Sequence, residues 1–378
     1  MGINVITVYE KNLQAGTLTV SVNPSSFKIE DIFDIAQREN PKRAFLFISK
    51  VLGHHIPVAP NKTRKAFRNL VSKLPQNIEG SILFVGMAET AVALACGIYQ
   101  EARIKYPDSV LLLTTRHPTN EKLLCNFKEL HSHATDHLLF YPQCPQMQEK
   151  VDNAQTLVFI DDETTTGNTF LNLFNALENA RETKFKQVIT VNLADWSDDG
   201  LENRIDADFS SFSLLSGRWN WQPKLGAPTV TMPNVNVSTP GKLSLSKRQD
   251  WGRLGMMECH CEFGEHIQAK TDERILVIGT EEFVWPPFLL AERLEKEGAD
   301  VQFCATTRSP LALGFAVSSV FTFDDNYGQG IPHFIYNIGH RRFDRIIIGA
   351  ETPVGSLSAS LIRKLQSISD TVECLYYE

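Results

Sequence analysis

Two neighbouring carboxylates stand directly before a turn rich in hydroxyl groups. Asp161 and Asp162 end the stretch "LVFIDD", and the following turn leads into apolar residues with helical spacing. Hydroxyls and N–H groups at a helix start bind a phosphate, whereas carboxylates suit a neutral diol or a metal ion. The pattern predicts a ligand with a phosphate near a ribose diol; the alternative is an acidic turn that only begins the helix. The residues predicted for the phosphate are Thr164, Thr165, Thr166, Gly167, Asn168 and Thr169.

The diacid follows a short apolar run, residues 157–160, that has no polar alternation. Such a run predicts a strand buried on both faces, as in a parallel sheet, and we expect this strand to end where Asp161 begins. Ligands of open α/β sheets bind beyond the carboxyl ends of the strands. The segment lacks the Gly-Lys-Ser/Thr of a P-loop and is not a dinucleotide-binding fingerprint.

Strands and helices alternate on both sides of the diacid, which predicts an α/β fold with a parallel sheet flanked by helices. A stretch rich in Pro, Gly, Asn and Ser interrupts the alternation, and a second, smaller α/β unit follows. The predicted divisions are a first domain at 1–214, a connector at 215–270 and a C-terminal domain at 271–378. Strands are predicted at 43–49, 81–86, 109–115, 157–161, 187–193, 274–279, 301–307, 319–325 and 345–350, and helices at 61–74, 89–105, 169–182 and 286–298.

The two units share a similar stretch. The first contains "ILFVGMAET…VLLLTTRHP" and the second "ILVIGTEEF…VQFCATTRSP", and each joins a strand, a glycine, an acidic turn, a helix, a strand and Thr-Thr-Arg. Both units then reach a strand that ends in two aspartates, at 161–162 and at 324–325. A degenerate duplication is one interpretation, and chance likeness between βαβ units is the other.

Composition narrows the class of protein. The chain has 378 residues, of which 43% are hydrophobic and 21% charged, and its formal net charge is −7. This charge gives no general affinity for nucleic acid or anionic membranes, and no apolar run approaches the roughly 18 residues that span a bilayer. Seven scattered cysteines suit a reducing compartment better than a disulfide framework. We therefore expect a cytoplasmic protein whose partners include neither nucleic acid nor membrane.

The segment 161–169 resembles the phosphoribosyl-pyrophosphate signature of type I phosphoribosyltransferases. The resemblance implies that Asp161 and Asp162 hold the ribose 2′- and 3′-hydroxyls and that residues 164–169 wrap the 5′-phosphate. It also implies Mg²⁺ as cofactor, held by Asp161 and Asp162 and partly through the substrate. Arg116 follows a buried strand, where these enzymes often place a basic contact to the pyrophosphate.

Other segments resemble a narrower family: orotate phosphoribosyltransferase-like proteins with a C-terminal TRSP domain, whose genes lie in tellurium-resistance and stress-response clusters. The hallmarks of that domain are a Gly-x-x-Glu turn, here 279–282, and Thr-Arg-Ser-Pro, here 307–310. The segments that carry the resemblance are 49–57, 85–91, 127–137 and 306–310.

The expected activity is transfer of a phosphoribosyl group from phosphoribosyl pyrophosphate to a base-like acceptor, with release of pyrophosphate, in the synthesis or salvage of a nucleotide-like metabolite. The alternative is a non-catalytic regulator that senses a nucleotide or phosphoribosyl pyrophosphate on the same fold. A homodimer is a possible oligomeric state.

A long segment between Arg116 and the diacid has little strand or helix pattern after residue 130 and is interpreted as a lid over the site. Within it, Lys122, His131 and His133 are predicted to supply charge to the departing pyrophosphate; a metal cluster and a plain surface loop are the alternatives. After the first predicted strand, Lys50 and Gly53 are predicted to bind pyrophosphate through backbone amides. The alternative is an ordinary loop at the end of a strand.

Two further places have competing interpretations. Glu89 and Thr90 are candidates for substrate binding, although capping of a helix would explain both. Cys259 and Cys261 lack a second Cys-x-x-Cys pair and make a poor zinc site, so an edge strand is favoured.

In the C-terminal unit, three polar turns follow strand-like runs and predict a second ligand pocket on one edge of a sheet. Arg308 is expected to grip a phosphate or carboxylate, and a helix is expected to begin at residue 311. The alternative is a regulatory domain without a ligand. The residues assigned to this pocket are Gly279, Glu281, Glu282, Arg308, Ser309, Asp324, Asp325 and Asn326.

Overall fold

The computed structural model describes residues 6–38, 43–128, 136–197, 200–226, 241–248, 251–258 and 261–377. The strands are β1 (Thr7–Asn12), β2 (Gly16–Val22), β3 (Phe33–Gln37), β4 (Phe45–Ser49), β5 (Ile82–Gly86), β6 (Ser109–Leu113), β7 (Leu123–Lys128), β8 (Asp136–Phe140), β9 (Thr156–Thr164), β10 (Gln187–Asp195), β11 (Asp208–Pro223), β12 (Arg274–Gly279), β13 (Asp300–Ala305), β14 (Val320–Asp324), β15 (Pro332–Tyr336), β16 (Arg345–Ala350) and β17 (Val372–Tyr376). The helices are α1 (Ile29–Ile32), α2 (Pro60–Val71), α3 (Val92–Ala102), α4 (Pro145–Asn153), α5 (Asn168–Ala180), α6 (Trp285–Lys296) and α7 (Ala359–Gln366), and a 3₁₀ turn spans Glu202–Arg204.

The first unit is built on a seven-stranded sheet in the order β1-β2-β11-β10-β9-β5-β6. The five strands from β11 to β6 are parallel, and the hairpin β1-β2 adds to the edge of β11 in antiparallel fashion. The apolar runs of β5, β6 and β9 are buried on both faces, as expected for strands between two layers of helices.

The second unit has a four-stranded parallel sheet in the order β13-β12-β16-β17. Alternate residues of β12 point to opposite faces: Ile275 and Val277 join the core shared with the first unit, whereas Leu276 and Ile278 join a core of the second unit. The expected fold class, an α/β protein with a mostly parallel sheet and a second, smaller α/β domain, is confirmed.

Several local predictions were wrong. The segments 43–49 and 319–325 form strands, but each pairs in a separate antiparallel hairpin, with β3 and with β15, and not in the parallel sheets. The strand before the diacid continues to Thr164, because β10 pairs with it beyond the carboxylates. The segment after residue 117 contains the hairpin β7-β8 and the helix α4, and no helix begins at residue 311.

The connector region contributes to the first unit. Strand β11 crosses the predicted boundary between residues 214 and 215 and lies inside the main sheet. Further along, Met256 forms an antiparallel bridge with Leu111 on the open edge of β6, with N–O distances of 3.0 and 2.9 Å. No helix of the described residues is long and apolar enough to cross a membrane.

The two units repeat the same arrangement. The order β6-β5-β9-β10 in the first sheet corresponds to β13-β12-β16-β17 in the second, and an antiparallel hairpin follows β6 and β13 in each. Two hydrogen bonds match between the units. Thr114 N donates to Gly86 O as Thr306 N does to Gly279 O, both at 2.9 Å. Ala88 N donates to Thr114 Oγ1 at 2.8 Å, as Glu281 N does to Thr306 Oγ1 at 2.9 Å. The topology therefore favours a degenerate duplication.

The repeat corrects the predicted equivalence of the two Asp-Asp pairs. Gly86 pairs with Ile160 in the first sheet, and Ile278 pairs with Ile348 in the second. Because Gly86 corresponds to Gly279, the residue after Ile278, Ile160 corresponds to the residue after Ile348. The counterpart of Asp162 is therefore Glu351. Asp325 instead follows β14 at the tip of its hairpin, where its carboxylate accepts backbone N–H groups of residues 327, 329 and 331.

The two units pack through α2 and α6. Arg64 of α2 donates to both carboxylate oxygens of Glu292 in α6, at 2.7 and 3.1 Å. Phe67 and Phe288 meet edge to face beside this pair, with centroids 5.7 Å apart. This contact between α2 and α6 holds the second unit against the first.

Candidate active site

A cavity of about 640 Å³ opens at the carboxyl ends of β5, β6 and β9. Residues 307–309 of the second unit form part of its wall, so both units build it. The charged side chains that line it are Arg38, Arg43, Glu89, Arg116, Asp161, Asp162, Glu163 and Arg308.

The diacid and the hydroxyl-rich turn form one side of the cavity, as the sequence predicted. The backbone N–H of Asp162 donates a hydrogen bond to Oδ1 of Asp161 at 2.9 Å. Burial and the neighbouring Glu163 raise the pKa of Asp162 to about 6. Gly167 has φ +70°, which L side chains adopt rarely, and α5 begins directly after it. All residues predicted for the phosphate line the cavity at this helix start.

An aromatic wall lies opposite, between β4 and β11. Phe45 meets Trp219 edge to face at 5.0 Å and lies tilted against Trp221 at 5.1 Å. The guanidinium of Arg43 sits 4.8 Å from the Phe45 ring centroid and forms an ion pair with Glu163, with Nη2 2.9 Å from Oε1. Trp219 and Trp221 are the partly exposed rings of this wall, and the guanidinium also lies 5.7 Å from the Trp219 ring centroid.

Glu89 lies in the turn after β5 and is buried. Its Oε1 is 2.9 Å from His54 Nε2, and its Oε2 is 3.9 Å from Arg116 Nη1. Burial raises the pKa of this carboxyl, but His54 and Arg116 outweigh burial and lower it to about 2. Capping of α3 was a wrong explanation for Glu89, because Ala91 is the N-cap and no side chain caps this helix.

The carboxylates of the second unit's acidic turn are fully buried beside the cavity. Glu281 pairs with Arg308 through Oε1 and lies 3.2 Å from His117 Nε2 through Oε2. Glu282 accepts the Thr115 hydroxyl at 2.5 Å, the Arg116 N–H at 2.7 Å and Arg253 Nη2 at 2.9 Å. The acidic turn of one unit therefore holds the Thr-Thr-Arg turn of the other.

The separate second pocket is not formed as predicted, because its residues lie in different surroundings. Glu281 and Glu282 meet protein cations, and Arg308 and Ser309 line the cavity of the first unit. Asp324 is exposed, and Asn326 Nδ2 donates to Thr352 Oγ1 at 2.9 Å. Gly279 packs against the Phe283 carbonyl, 2.8 Å from where its Cβ would stand.

Three candidates from the first unit lie away from the cavity wall. Lys50 Nζ donates to the Glu30 carbonyl at 2.6 Å, and Gly53 packs on Phe303 of β13 with φ +77°. Lys122 Nζ lies 4.3 Å from the Tyr141 ring centroid. His131, His133 and Cys259 fall outside the described residues, whereas Cys261 Sγ lies 3.5 Å from the Tyr377 hydroxyl.

Sequence reasoning missed part of the lining. Arg38, Arg43 and Phe45 belong to the β3-β4 hairpin, whereas Trp219 and Trp221 lie on β11 of the main sheet. Only tertiary packing brings them to the cavity, and their sequence offers no spacing signal. His55 also lines the cavity, and burial together with His54 lowers its pKa well below the usual range. His137, from the predicted lid segment, also lines the cavity; its Nδ1 lies 3.3 Å from Thr114 Oγ1 and its ring stacks on Phe127.

The class of protein follows from comparison with known families. Residues 32–218 match the family model described as phosphoribosyl transferase, and the protein is accordingly a pentosyltransferase enzyme. More particularly, residues 256–365 match the model described as "TRSP domain C terminus to PRTase_2", so the chain carries a phosphoribosyltransferase domain followed by a TRSP domain. The expected TRSP domain is confirmed. No curated protein matches the chain significantly.

Similar solved structures include adenine phosphoribosyltransferases. The one from Rhodothermus marinus is 16% identical, with 48% of this chain and 94% of that chain covered and a TM-score of 0.32. The one from Thermoanaerobacter pseudethanolicus is 15% identical, with 50% and 99% covered and a TM-score of 0.33. The Trypanosoma brucei enzyme, in complex with AMP, pyrophosphate and ribose-5-phosphate, is 12% identical, with 49% and 77% covered and a TM-score of 0.33.

Proposed function

We propose that the protein transfers a phosphoribosyl group from phosphoribosyl pyrophosphate to a nitrogen of a planar, base-like acceptor and releases pyrophosphate. One observation carries the proposal: a single cavity joins the diacid of β9, the turn at the start of α5 and the guanidinium of Arg116. Its volume of about 640 Å³ lies within the range for small-molecule sites.

Each part of the cavity suits one part of the donor. N–H groups and hydroxyls of residues 164–169 suit the 5′-phosphate at the start of α5. Asp161 and Asp162, as hydrogen-bond acceptors, suit the ribose 2′- and 3′-hydroxyls. Arg116 suits the pyrophosphate. In this arrangement the protein acts by positioning and by electrostatic stabilisation of an oxocarbenium-like transition state, without a protein nucleophile.

Mg²⁺ fits this site as a cofactor held mainly by the substrate. Asp161 and Asp162 offer the oxygen ligands that Mg²⁺ prefers, but no group of three ligating side chains occurs among the residues that the structure describes. Pyrophosphate and ribose oxygens would complete the coordination, and the bound ion would neutralise leaving-group charge. Asp162 must ionise for this role, which its raised pKa of about 6 allows at neutral pH.

The aromatic wall suits the acceptor. Trp219 and Trp221 are partly exposed and rest on the buried ring of Phe45, and the guanidinium of Arg43 lies over the Phe45 and Trp219 rings. A planar ring with an acidic or carbonyl group would stack there and meet the guanidinium. The resemblance to orotate phosphoribosyltransferase-like proteins makes orotate the first acceptor to test.

The decisive experiment measures pyrophosphate release with phosphoribosyl pyrophosphate, Mg²⁺ and a panel of bases, together with calorimetric binding of the donor. Asp161→Asn with Asp162→Asn should abolish donor binding and leave the fold intact, since both carboxylates are partly exposed at the end of β9. Equal donor affinity in wild type and double mutant would refute the assignment. Binding without pyrophosphate release for any base would favour the regulator that senses the donor.

We also propose that the protein works in the cytoplasm, within nucleotide-like metabolism linked to tellurium resistance and stress response, and that it forms a homodimer. The gene-cluster resemblance supports the first proposal. Cys96, Cys125, Cys304 and Cys374 form no disulfide, which suits a reducing compartment. Growth of a deletion strain on tellurite tests the role, and light scattering of the purified chain tests the dimer.

A further inference from the structure

The Thr-Thr-Arg turn occurs twice, and both copies reach the same cavity. Arg116 follows β6 and Arg308 follows β13, at equivalent places in the two repeated units. The neighbouring hydrogen bonds also match: His117 N donates to Thr115 Oγ1 and Ser309 N to Thr307 Oγ1, both at 3.1 Å. The two guanidiniums are therefore structural counterparts.

A shared carboxylate sets the two turns side by side. Glu281 binds Arg308 through one oxygen and His117, the neighbour of Arg116, through the other. Burial alone would lower the pKa of the Arg308 guanidinium. The carboxylates of Glu281 and Glu89 outweigh the effect of burial and raise this pKa above its ordinary value. Glu89 also lies 3.9 Å from Arg116, so both arginines border the same acidic turn.

In the second unit, protein side chains fill the place that corresponds to the diacid of the first unit. At the position of Asp162 it has Glu351, which is 1% exposed and accepts Arg253 at 2.5 and 2.8 Å. Tyr327 also donates to Glu351, at 3.2 Å, and stacks on His117 at 4.2 Å. Protein side chains thus occupy the place of the diol-binding carboxylate, while the arginine of this unit faces the cavity of the first.

We propose that Arg308 completes the transferase site by binding the pyrophosphate group of the donor together with Arg116. The inference rests on the proposed function. The 5′-phosphate already has the turn at the start of α5, so the guanidiniums of Arg116 and Arg308, which line the same cavity, match the remaining anionic group of phosphoribosyl pyrophosphate. The TRSP unit then serves as a built-in partner that supplies an anion-binding residue and holds the Arg116 turn through Glu282.

The experiment compares Arg308→Ala and Arg308→Lys with the control Arg363→Ala, which removes an exposed arginine of α7 in the same unit. Calorimetry measures binding of inorganic pyrophosphate, ribose 5-phosphate and phosphoribosyl pyrophosphate, each with Mg²⁺. Arg308→Ala should weaken pyrophosphate and phosphoribosyl pyrophosphate about 10- to 100-fold. Ribose 5-phosphate should keep its affinity, Arg308→Lys should recover part of the loss, and the control should match wild type.

Other outcomes overturn the inference. Unchanged pyrophosphate affinity in Arg308→Ala, or a raised acceptor KM with unchanged pyrophosphate affinity, would remove Arg308 from the pyrophosphate site. If Arg308→Ala and Arg308→Lys lost as much affinity for ribose 5-phosphate as for pyrophosphate, the role of Arg308 would be structural. If wild type binds pyrophosphate but neither ribose compound, the proposed function fails while the arginine site stands; binding of none of the three overturns both.

Discussion

Replacing Glu282 tests whether the second unit holds the first unit's Arg116 turn. The carboxylate is 1% exposed and accepts the Thr115 hydroxyl, the Arg116 N–H and the Arg253 guanidinium. Glu282→Ala leaves the hydroxyl and the N–H without an acceptor, at about 1–3 kcal/mol each. Arg253 keeps Glu351, which limits the electrostatic loss. We expect the free energy of unfolding to fall by about 3–5 kcal/mol, the range for a broken buried ion pair.

Urea unfolding, followed by tryptophan fluorescence, measures the change. The matched control is Glu182→Ala, an exposed glutamate after α5, which should stay within about 0.5 kcal/mol of wild type. Glu282→Gln keeps an acceptor without the charge and should lose less than the alanine variant. Pyrophosphate affinity should fall in Glu282→Ala, because the Arg116 turn loses its support, whereas ribose 5-phosphate affinity should persist.

The pH dependence gives a second check. Burial raises the pKa of Glu282, but His117 and Arg253 outweigh burial, so the pKa lies below its ordinary value of 4.5. A carboxyl with a lowered folded pKa stabilises the fold above the ordinary value and loses this contribution as pH falls through the folded pKa. The gap between wild type and Glu282→Gln should therefore be full at pH 7 and shrink below about pH 4.5. A loss under about 1 kcal/mol in Glu282→Ala would refute the reasoning.

Two further predictions concern the cavity itself. Because the pKa of Asp162 is raised to about 6, donor binding should strengthen as pH rises through that value. The phosphates of the donor titrate in the same range, so Asp162→Asn should show a weaker pH dependence than wild type in calorimetry. A raised folded pKa costs stability as pH rises, so Asp162→Asn should unfold at a higher temperature than wild type at pH 8, and equal melting at pH 8 would contradict this. Trp219→Ala should raise the acceptor KM and leave donor affinity unchanged; a loss confined to the donor would exclude the aromatic wall as acceptor site.

Patterns within a few neighbouring residues were enough to predict much of the first unit. The buried strands β5, β6, β9 and β10 and the helices α2, α3 and α5 follow from apolar periodicity, since both faces or one stripe must be buried. The diacid and the turn before α5 are contiguous in the chain, so their placement at one edge of the sheet was also predictable. The repeated Thr-Thr-Arg motif showed in the sequence that two units share a design.

Partner choice over long distances was not predictable in the same way. The strands at 43–49 and 319–325 look like β9 in composition, yet they pair in antiparallel hairpins, because hydropathy carries no information about which strand lies alongside. The aromatic wall combines Phe45 with Trp219 across more than a hundred residues, and nothing in either segment indicates the other.

The sequence by itself determined that a diacid precedes a hydroxyl-rich turn near the end of a buried strand, just before a helix. Only the tertiary structure decided that Arg308, Glu281 and Glu282 belong to that same site. The sequence placed them in a pocket of their own, because polar turns after parallel strands emerge on one edge of their own sheet. Packing of α6 on α2 instead brings this edge against the first unit, and buried carboxylates there must find cations within reach.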